Sequence, residues 1–210
     1  MTDKKPDLDT AYGLETPEDS VRLYRKWAKT YDQDFAKAND YLYPELIAAL
    51  FADRAGGCAP VLDVGAGTGL VGDALATHGL VSVDALDISS EMLDVAMSKG
   101  CYQNPIQADL TKRLDIANSH YGGVISAGTF THGHVGPEAI DELLRVARSG
   151  ALFALGVNAS VYEPAGFAAK FASLEDQIEA FEIVETRIYG EQAEDKLQKA
   201  RSTVVLFHKR

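Results

Sequence analysis

Val61-Leu62-Asp63-Val64-Gly65-Ala66-Gly67-Thr68-Gly69 reads as a short apolar strand with one acidic residue inside it, followed by three glycines at alternate positions. A helix-like segment, Leu70 to Ala76, comes directly after. A strand that turns straight into a helix visits backbone angles that side chains resist, and bare backbone lets a ligand lie against the turn. About twenty residues further on, Val81-Ser82-Val83-Asp84-Ala85-Leu86-Asp87 ends in a second acid, the spacing of a carboxylate that accepts both ribose hydroxyls. A glycine turn after one strand and a carboxylate at the tip of the next make a nucleoside site.

Two nucleosides compete for these residues. Gly67-Thr68-Gly69-Leu70-Val71-Gly72 has the G-x-G-x-x-G spacing of a dinucleotide site, with Asp87 placed for a ribose, so an NAD(P)-dependent oxidoreductase is one reading. Against it stands Asp63, inside the strand, where a carboxylate would repel an arriving pyrophosphate. A ligand with an amine or positive charge near the loop suits that acid better, and S-adenosylmethionine carries a ribose, an adenine, an ammonium and a sulfonium. At this point the chain resembles the class I S-adenosylmethionine-dependent methyltransferases, whose motif Asp/Glu-x-Gly-x-Gly-x-Gly is met by Asp63, Gly65, Gly67 and Gly69.

The 210 residues suit one α/β domain with a core that needs no staples, and the apolar fraction of 46% is ordinary for a globular protein. Cys58 and Cys101 have neither paired spacing nor a nearby histidine cluster, so free thiols in a reducing compartment are expected and no metal site. The start, Met1-Thr2-Asp3-Lys4-Lys5-Pro6-Asp7, lacks the apolar core of a signal peptide, and no stretch is long enough to span a bilayer. A cytoplasmic location is expected. A formal charge of −11 repels nucleic acid and anionic membranes, so neither is expected as the main partner. Arg22, Arg25, Lys26 and Lys29 read as a solvated helix face.

Residues 1 to about 16 are polar and expected to be poorly ordered. Thr16-Pro17-Glu18-Asp19 opens a helix running through Val21, Tyr24 and Trp27, with a capping hydroxyl, a first-turn proline and acids at the positive end. A second helix is expected over 44–54. Residues 1–56 are thus read as a helical cover and 57–210 as a compact methyltransferase domain. From Pro60 the pattern alternates between strands at 61–64, 82–86, 105–108, 122–127, 151–156, 182–189 and 202–208 and helices at 69–78, 90–99, 137–148 and 164–179. Such alternation predicts a doubly wound α/β fold with a mostly parallel sheet covered on both faces. The last two strands have no expected helix between them and read as an antiparallel edge pair. The resemblance implies the same seven-stranded Rossmann-like sheet with an antiparallel last strand.

Ligands of such sheets sit beyond the carboxyl ends of the strands. Asp63, Gly65, Ala66, Gly67 and Gly69 are expected to face the methionine portion, and Asp87 the ribose, with Ile88 beside it. The resemblance implies an apolar contact of Met92 with adenine, an adenine amino group held by Asp109, and a backbone donor at Leu110. Asp109 also reads as a cap of the following Thr111 segment, and Met92 as core. Trp27 and Tyr31, four apart and with Tyr24 adjacent, share a helix face that either packs on the domain or lids the cofactor, where rings attract a sulfonium. More narrowly, the chain is similar to the methyltransferase-like family named for the Williams–Beuren syndrome chromosomal region. That likeness rests on Tyr24-x-x-Trp27-Ala28-x-x-Tyr31-Asp32, the 61–72 segment, Asp87-Ile88-Ser89-x-x-Met92-Leu93 and Ser126-Ala127-Gly128-Thr129-Phe130-Thr131-His132-Gly133-His134. It names no acceptor and no oligomeric state.

The loop after the fourth strand places His132 and His134 beside the expected transfer site, as proton acceptors for the incoming nucleophile or as turn hydrogen bonds. A His-x-His pair without a third ligand makes no metal site. The Asp/Asn-Pro-Pro-Tyr/Phe tetrapeptide of many nucleic-acid amino methyltransferases is absent. Tyr41, Tyr43, His132, Asn158 and Phe167 are candidate pocket residues. The chain is therefore read as an enzyme that moves a methyl group from S-adenosylmethionine to a small-molecule acceptor, leaving S-adenosylhomocysteine. A non-catalytic cofactor-binding protein and a protein side-chain methyltransferase are the other readings.

Overall fold

The computed structural model describes residues 16–132 and 135–210, together with Thr10 and Gly13. The expectations for the first residues of the chain fall mostly outside that range. Seven strands form one sheet in the order β3-β2-β1-β4-β5-β7-β6: β1 (Val61–Val64), β2 (Val83–Asp87), β3 (Pro105–Gln107), β4 (Tyr121–Phe130), β5 (Ala147–Asn158), β6 (Ile178–Arg187) and β7 (Arg201–Lys209). β1 pairs in parallel with β2 through Val61↔Val83 and Leu62↔Asp84, and with β4 through Val61↔Gly123. β7 runs antiparallel to both β5 (Phe153↔Phe207) and β6 (Val184↔Val204), which is the expected edge arrangement.

The central strands are apolar on both faces, as a sheet covered on both sides requires. Alternation splits their side chains between two cores. Val61, Ile125, Ala154 and Leu206 face one layer, and Leu62, Val124, Phe153 and Phe207 the other. The first layer is α1 (Pro17–Trp27), α2 (Tyr43–Ala52), α3 (Leu70–Thr77) and α4 (Ser90–Ser98). It contributes Trp27, Ile47, Phe51, Leu75 and Leu93 to a single cluster. The second includes α5 (Ala139–Val146), which buries Ile140, Leu143 and Leu144 and turns Asp141, Glu142 and Arg145 outward or to partners. Each fully buried large side chain of this kind contributes about 1.5–3 kcal/mol. α1 begins in a capping box in which the Thr16 hydroxyl accepts from the Asp19 N–H at 3.2 Å and the Asp19 carboxylate accepts from the Thr16 N–H at 3.1 Å.

Three stretches depart from the expected elements. The helix expected over 164–179 is two short ones, α6 (Ala159–Tyr162) and α7 (Phe167–Ala172). Asn158 starts the first by accepting from the Ser160 N–H at 3.0 Å, and Gly166, at φ +87°, separates them in a conformation that interrupts a helix. Ile178 and Glu179, placed in that helix by sequence, instead open β6 by pairing with Lys209 and His208. Residues 32–37 form a π-helical turn that periodicity does not signal, and a single helical turn, α8 (Asp195–Gln198), interrupts the β6–β7 connection.

Candidate active site

β1 and β4 are neighbours whose onward connections go to opposite sides of the sheet, and the cavity opens beyond their carboxyl ends. It holds about 210 Å³ and has two halves. One is built by the glycine loop and the tips of β2 and β3, the other by aromatic side chains of the N-terminal segment and the β6–β7 connection.

The loop turns at once because Gly65 adopts φ +69° and its N–H, with that of Ala66, donates to the Leu86 carbonyl at 2.8 and 3.0 Å. A Cβ on Gly65 would lie 1.9 Å from Thr129 Oγ1, so this glycine makes room for β4. A Cβ on Gly67, also at positive φ, would meet nothing; its backbone is the bare floor of the cavity. Gly72 answers to a protein neighbour, since a Cβ there would come within 2.3 Å of the Tyr102 ring. The third glycine of the G-x-G-x-x-G spacing is thus required by Tyr102 and carries no information about a pyrophosphate.

Tyr102, unremarked in the sequence, governs Asp63. Its hydroxyl donates to Asp63 Oδ2 at 2.5 Å and accepts from the Gly72 N–H at 2.9 Å, joining the middle of β1 to the first turn of α3. Asp63 is wholly buried and lies beneath the loop without lining the cavity, contrary to its expected contact with the methionine portion. Its Oδ1 has no partner among the described residues. Burial pushes its carboxyl up to about 7, opposed by the Tyr102 hydrogen bond and helped by the negative charge of Asp87. Gly69, the left-handed cap of α3, does not line the cavity either, because Tyr102 and Ala96 close over it.

The remaining expected cofactor residues, Gly65, Ala66, Gly67, Asp87, Ile88, Met92, Asp109, Leu110, Trp27 and Tyr31, all line the cavity. Asp87 stands at the tip of β2, with Oδ2 accepting from the Gly67 N–H and Oδ1 from the Ser89 N–H, each at 2.8 Å. Burial raises its carboxyl and these backbone donors lower it, leaving it above the usual range. Ser89 caps α4 through the Met92 N–H. Asp109 accepts from the Thr111 N–H at 2.9 Å and pairs with Lys112 at 3.0 Å, so it caps the following segment and faces the cavity together. Burial raises this carboxyl, and Thr111 and Lys112 outweigh that and hold it low.

In the aromatic half, Trp27 stacks on Tyr24 at 6.4 Å and meets the edge of Tyr31 at 5.1 Å. Tyr31 contacts Phe35 at 4.9 Å, Phe35 contacts Tyr41 at 5.2 Å, and Tyr41 contacts Tyr189 at 5.6 Å. Burial pushes the Tyr31 phenol well up, reinforced by the neighbouring tyrosines Tyr41, Tyr24 and Tyr189. Trp27 Nε1 and Thr131 Oγ1 are buried without partners among the described residues. At the floor, Tyr43 Oη lies 2.6 Å from Ser202 Oγ, which in turn donates to the Val157 carbonyl. The segment is tied across the loop by Asp32, which accepts from Thr68 Oγ1 at 2.5 Å and pairs with Lys99 at 2.8 Å, and by an Arg25–Glu91 pair at 2.7 Å.

Tyr41, Tyr43 and Asn158 are brought into the cavity as expected, whereas Phe167 is buried in the opposite core against Phe130. His132 is exposed, does not line the cavity, and lies 3.3 Å from Ser160 Oγ, because α6 draws it to the rim. His134 lies outside the described residues. Tyr189 and Ser202 were missed because each comes from an antiparallel element whose reach into the site depends on the sheet edge. No cluster of His, Cys, Asp and Glu among the described residues could hold a metal ion, and no helix among them is long and apolar enough to cross a membrane.

Residues 61–150, the span from β1 into β5, match the methyltransferase domain family. Over that span the chain is similar to methyltransferase domains. Methyltransferase-like protein 27 of Homo sapiens is 32% identical over 149 residues, which are 69% of this chain and 60% of that protein, under two thirds of its length. An S-adenosylmethionine-dependent methyltransferase of Thermotoga maritima superposes with a TM-score of 0.60 at 13% identity over 90% of this chain and 98% of that one. A TehB-like S-adenosylmethionine-dependent methyltransferase of Corynebacterium glutamicum gives 0.59 at 19% identity over 93% and 100%. At these identities the likeness to the solved structures is one of fold. The fold shared with them is a doubly wound α/β unit with a seven-stranded, mostly parallel sheet and an antiparallel last strand.

Proposed function

We propose that this methyltransferase domain transfers a methyl group from S-adenosylmethionine to a small-molecule acceptor, with residues 1–56 as a cover over the domain of 57–210. The observation that carries the reading is Asp87 at the tip of β2, facing the cavity beside the bare Gly67 backbone, within a match to the methyltransferase domain family. The residues present fit the cofactor by their chemistry. Asp87 suits the ribose diol, Ile88 and Met92 the faces of adenine, Asp109 and Leu110 its edge, and the backbone of Gly65, Ala66 and Gly67 the methionine portion. S-adenosylmethionine, when bound, supplies an electrophilic methyl group on a sulfonium.

The chain's own part is to bind, align and keep water out. The aromatic half supplies apolar walls, and the described lining residues include no histidine or lysine. A sulfonium is a reactive leaving group, and in-line placement with water excluded supplies much of the rate such a transfer needs. The Asp32 and Arg25 ties hold the aromatic segment over the loop and so serve both ends. The cavity's size, its aromatic wall and the charge of −11 favour a small molecule over nucleic acid. The same features are consistent with a cytoplasmic enzyme that needs no membrane.

Calorimetric titration with S-adenosylhomocysteine, with NAD as control, tests the cofactor. Binding of S-adenosylhomocysteine alone is expected, and binding of NAD alone would sink the reading. Incubation of the protein with methyl-labelled S-adenosylmethionine and a cell extract then separates the acceptors. Label in small metabolites is expected, label only in macromolecules would replace the small-molecule acceptor by a protein or nucleic acid, and cofactor binding without label transfer would leave a binding protein.

A further inference from the structure

Resting on that methyl-transfer reading, we infer that the aromatic half of the cavity is an acceptor subsite for an organic amine and rejects acceptors bearing carboxylate or phosphate. Tyr24, Trp27, Tyr31, Phe35, Tyr41 and Tyr189 form a continuous chain of ring contacts along one wall. Ring faces and phenol oxygens present negative potential and attract an ammonium or a polarised amine. The only charged side chains among the described lining residues are Asp87 and Asp109, both acidic. Three cations of the surrounding elements are engaged by carboxylates: Lys99 by Asp32 and Asp73, Arg25 by Glu91, and Lys112 by Asp109. An anion entering the aromatic half would shed its water with no counter-charge among the described lining residues to receive it.

Trp27, 3% exposed, and Thr131 both line this cavity. The Tyr41 hydroxyl lies against the end of β4, where a Cβ on Gly128 would come within 3.2 Å of it. An amine reaches this wall as its ammonium or free base and loses any extra proton to solvent before transfer. The nitrogen lone pair then forms the new N–C bond as the S–C bond breaks with its electron pair to sulfur, and the methylated ammonium returns its proton to solvent.

The test uses three molecules of one shape and different charge. S-adenosylhomocysteine is titrated into the full chain by calorimetry, and phenethylamine, 2-phenylethanol and phenylacetate are then titrated into the saturated protein. The emission of Trp27, the sole tryptophan, is read in parallel. Phenethylamine is expected to bind at least about ten-fold more tightly than phenylacetate and to change Trp27 emission. Tyr41→Leu should weaken phenethylamine by about five-fold, and Tyr41→Phe, which keeps the ring, should restore most of it, with S-adenosylhomocysteine affinity unchanged in both. Phenylacetate binding as tightly as phenethylamine, or saturated protein that ignores phenethylamine, overturns the inference. Selective phenethylamine binding without S-adenosylhomocysteine binding would keep an amine site and remove its assignment to methyl transfer.

Discussion

Asp87 is already fully occupied on its protein side, holding the Gly67 and Ser89 N–H groups, yet it faces the cavity. Replacing it by Ala removes the proposed ribose contact and lets the glycine loop drift. A charge-assisted hydrogen bond of this kind contributes about 1.5–3 kcal/mol, so Asp87→Ala should weaken S-adenosylhomocysteine binding about ten-fold or more. Calorimetry checks it, and unchanged affinity would remove Asp87 from the site. Asp63 makes a prediction of the opposite kind. Its carboxyl is pushed from 3.8 to about 7 by burial, so the unfolded chain releases this proton first as pH rises. Between those values folding stability falls with pH; below them the group is neutral in both states, and above them the whole penalty stands. Asp63→Asn, which can still accept from Tyr102, should therefore gain about 2–4 kcal/mol relative to wild type between about pH 4 and pH 8. Thermal unfolding of both proteins across that range measures the difference, and parallel curves would mean that Asp63 is ionised at little cost.

At the scale of elements, what matters is how the N-terminal segment is attached to the glycine loop. Trp27, Tyr31 and Phe35 pack it by apolar contact, and Asp32 joins the π-helical turn to Thr68 and to Lys99 of the α4 C-terminus. The Lys99 that remains after its loss still has Asp73. Asp32→Ala should therefore cost only about 1 kcal/mol of stability while loosening this segment. Hydrogen exchange in α1 and the π-helical turn should rise, and S-adenosylhomocysteine should dissociate several-fold faster, by the same order of energy. Equal exchange and equal dissociation rates in the variant would show that the rings and the Arg25–Glu91 pair hold the cover without Asp32. Tyr102 works between elements in the same way, linking β1, the β2–β3 connection after α4 and α3 through two hydrogen bonds.

Across the whole molecule, stability is graded by position in the sheet. β1, β4, β5 and β7 have partners on both sides and lie between two cores, whereas β3 and β6 are edges. β6 exposes Phe181 at 44% and Ile183 at 49%, so its outer half contributes little burial. Amide exchange should be slowest in β4 and β5 and at least about ten-fold faster in β6 and β3. Mass spectrometry on proteolytic fragments reads this directly, and uniform protection would mean that the molecule opens only as a whole. The long-range pairing of β5 with β7, which joins the antiparallel pair to the sheet, is also what brings Ser202 beneath Tyr43.

The amino-acid order by itself determined the parallel half of the sheet, the glycine turn, and the placing of Asp87, Met92 and Asp109 at strand or helix ends. Those features follow from short-range chemistry: alternating apolar runs, glycines where side chains do not fit, and a carboxylate at the end of an apolar strand. Tertiary structure alone decided the rest. Asp63 left the expected ligand contact because Tyr102, 39 residues away in the chain, claims its carboxylate. His132 went to the rim because Ser160 draws it there, and the helix expected over 164–179 gave way where Ile178 and Glu179 found ladder partners in β7. Tyr189 and Ser202 entered the cavity through antiparallel pairing, which no local pattern announces. In each case the deciding partner is distant in sequence, and burial or a hydrogen bond to it outweighs the local preference.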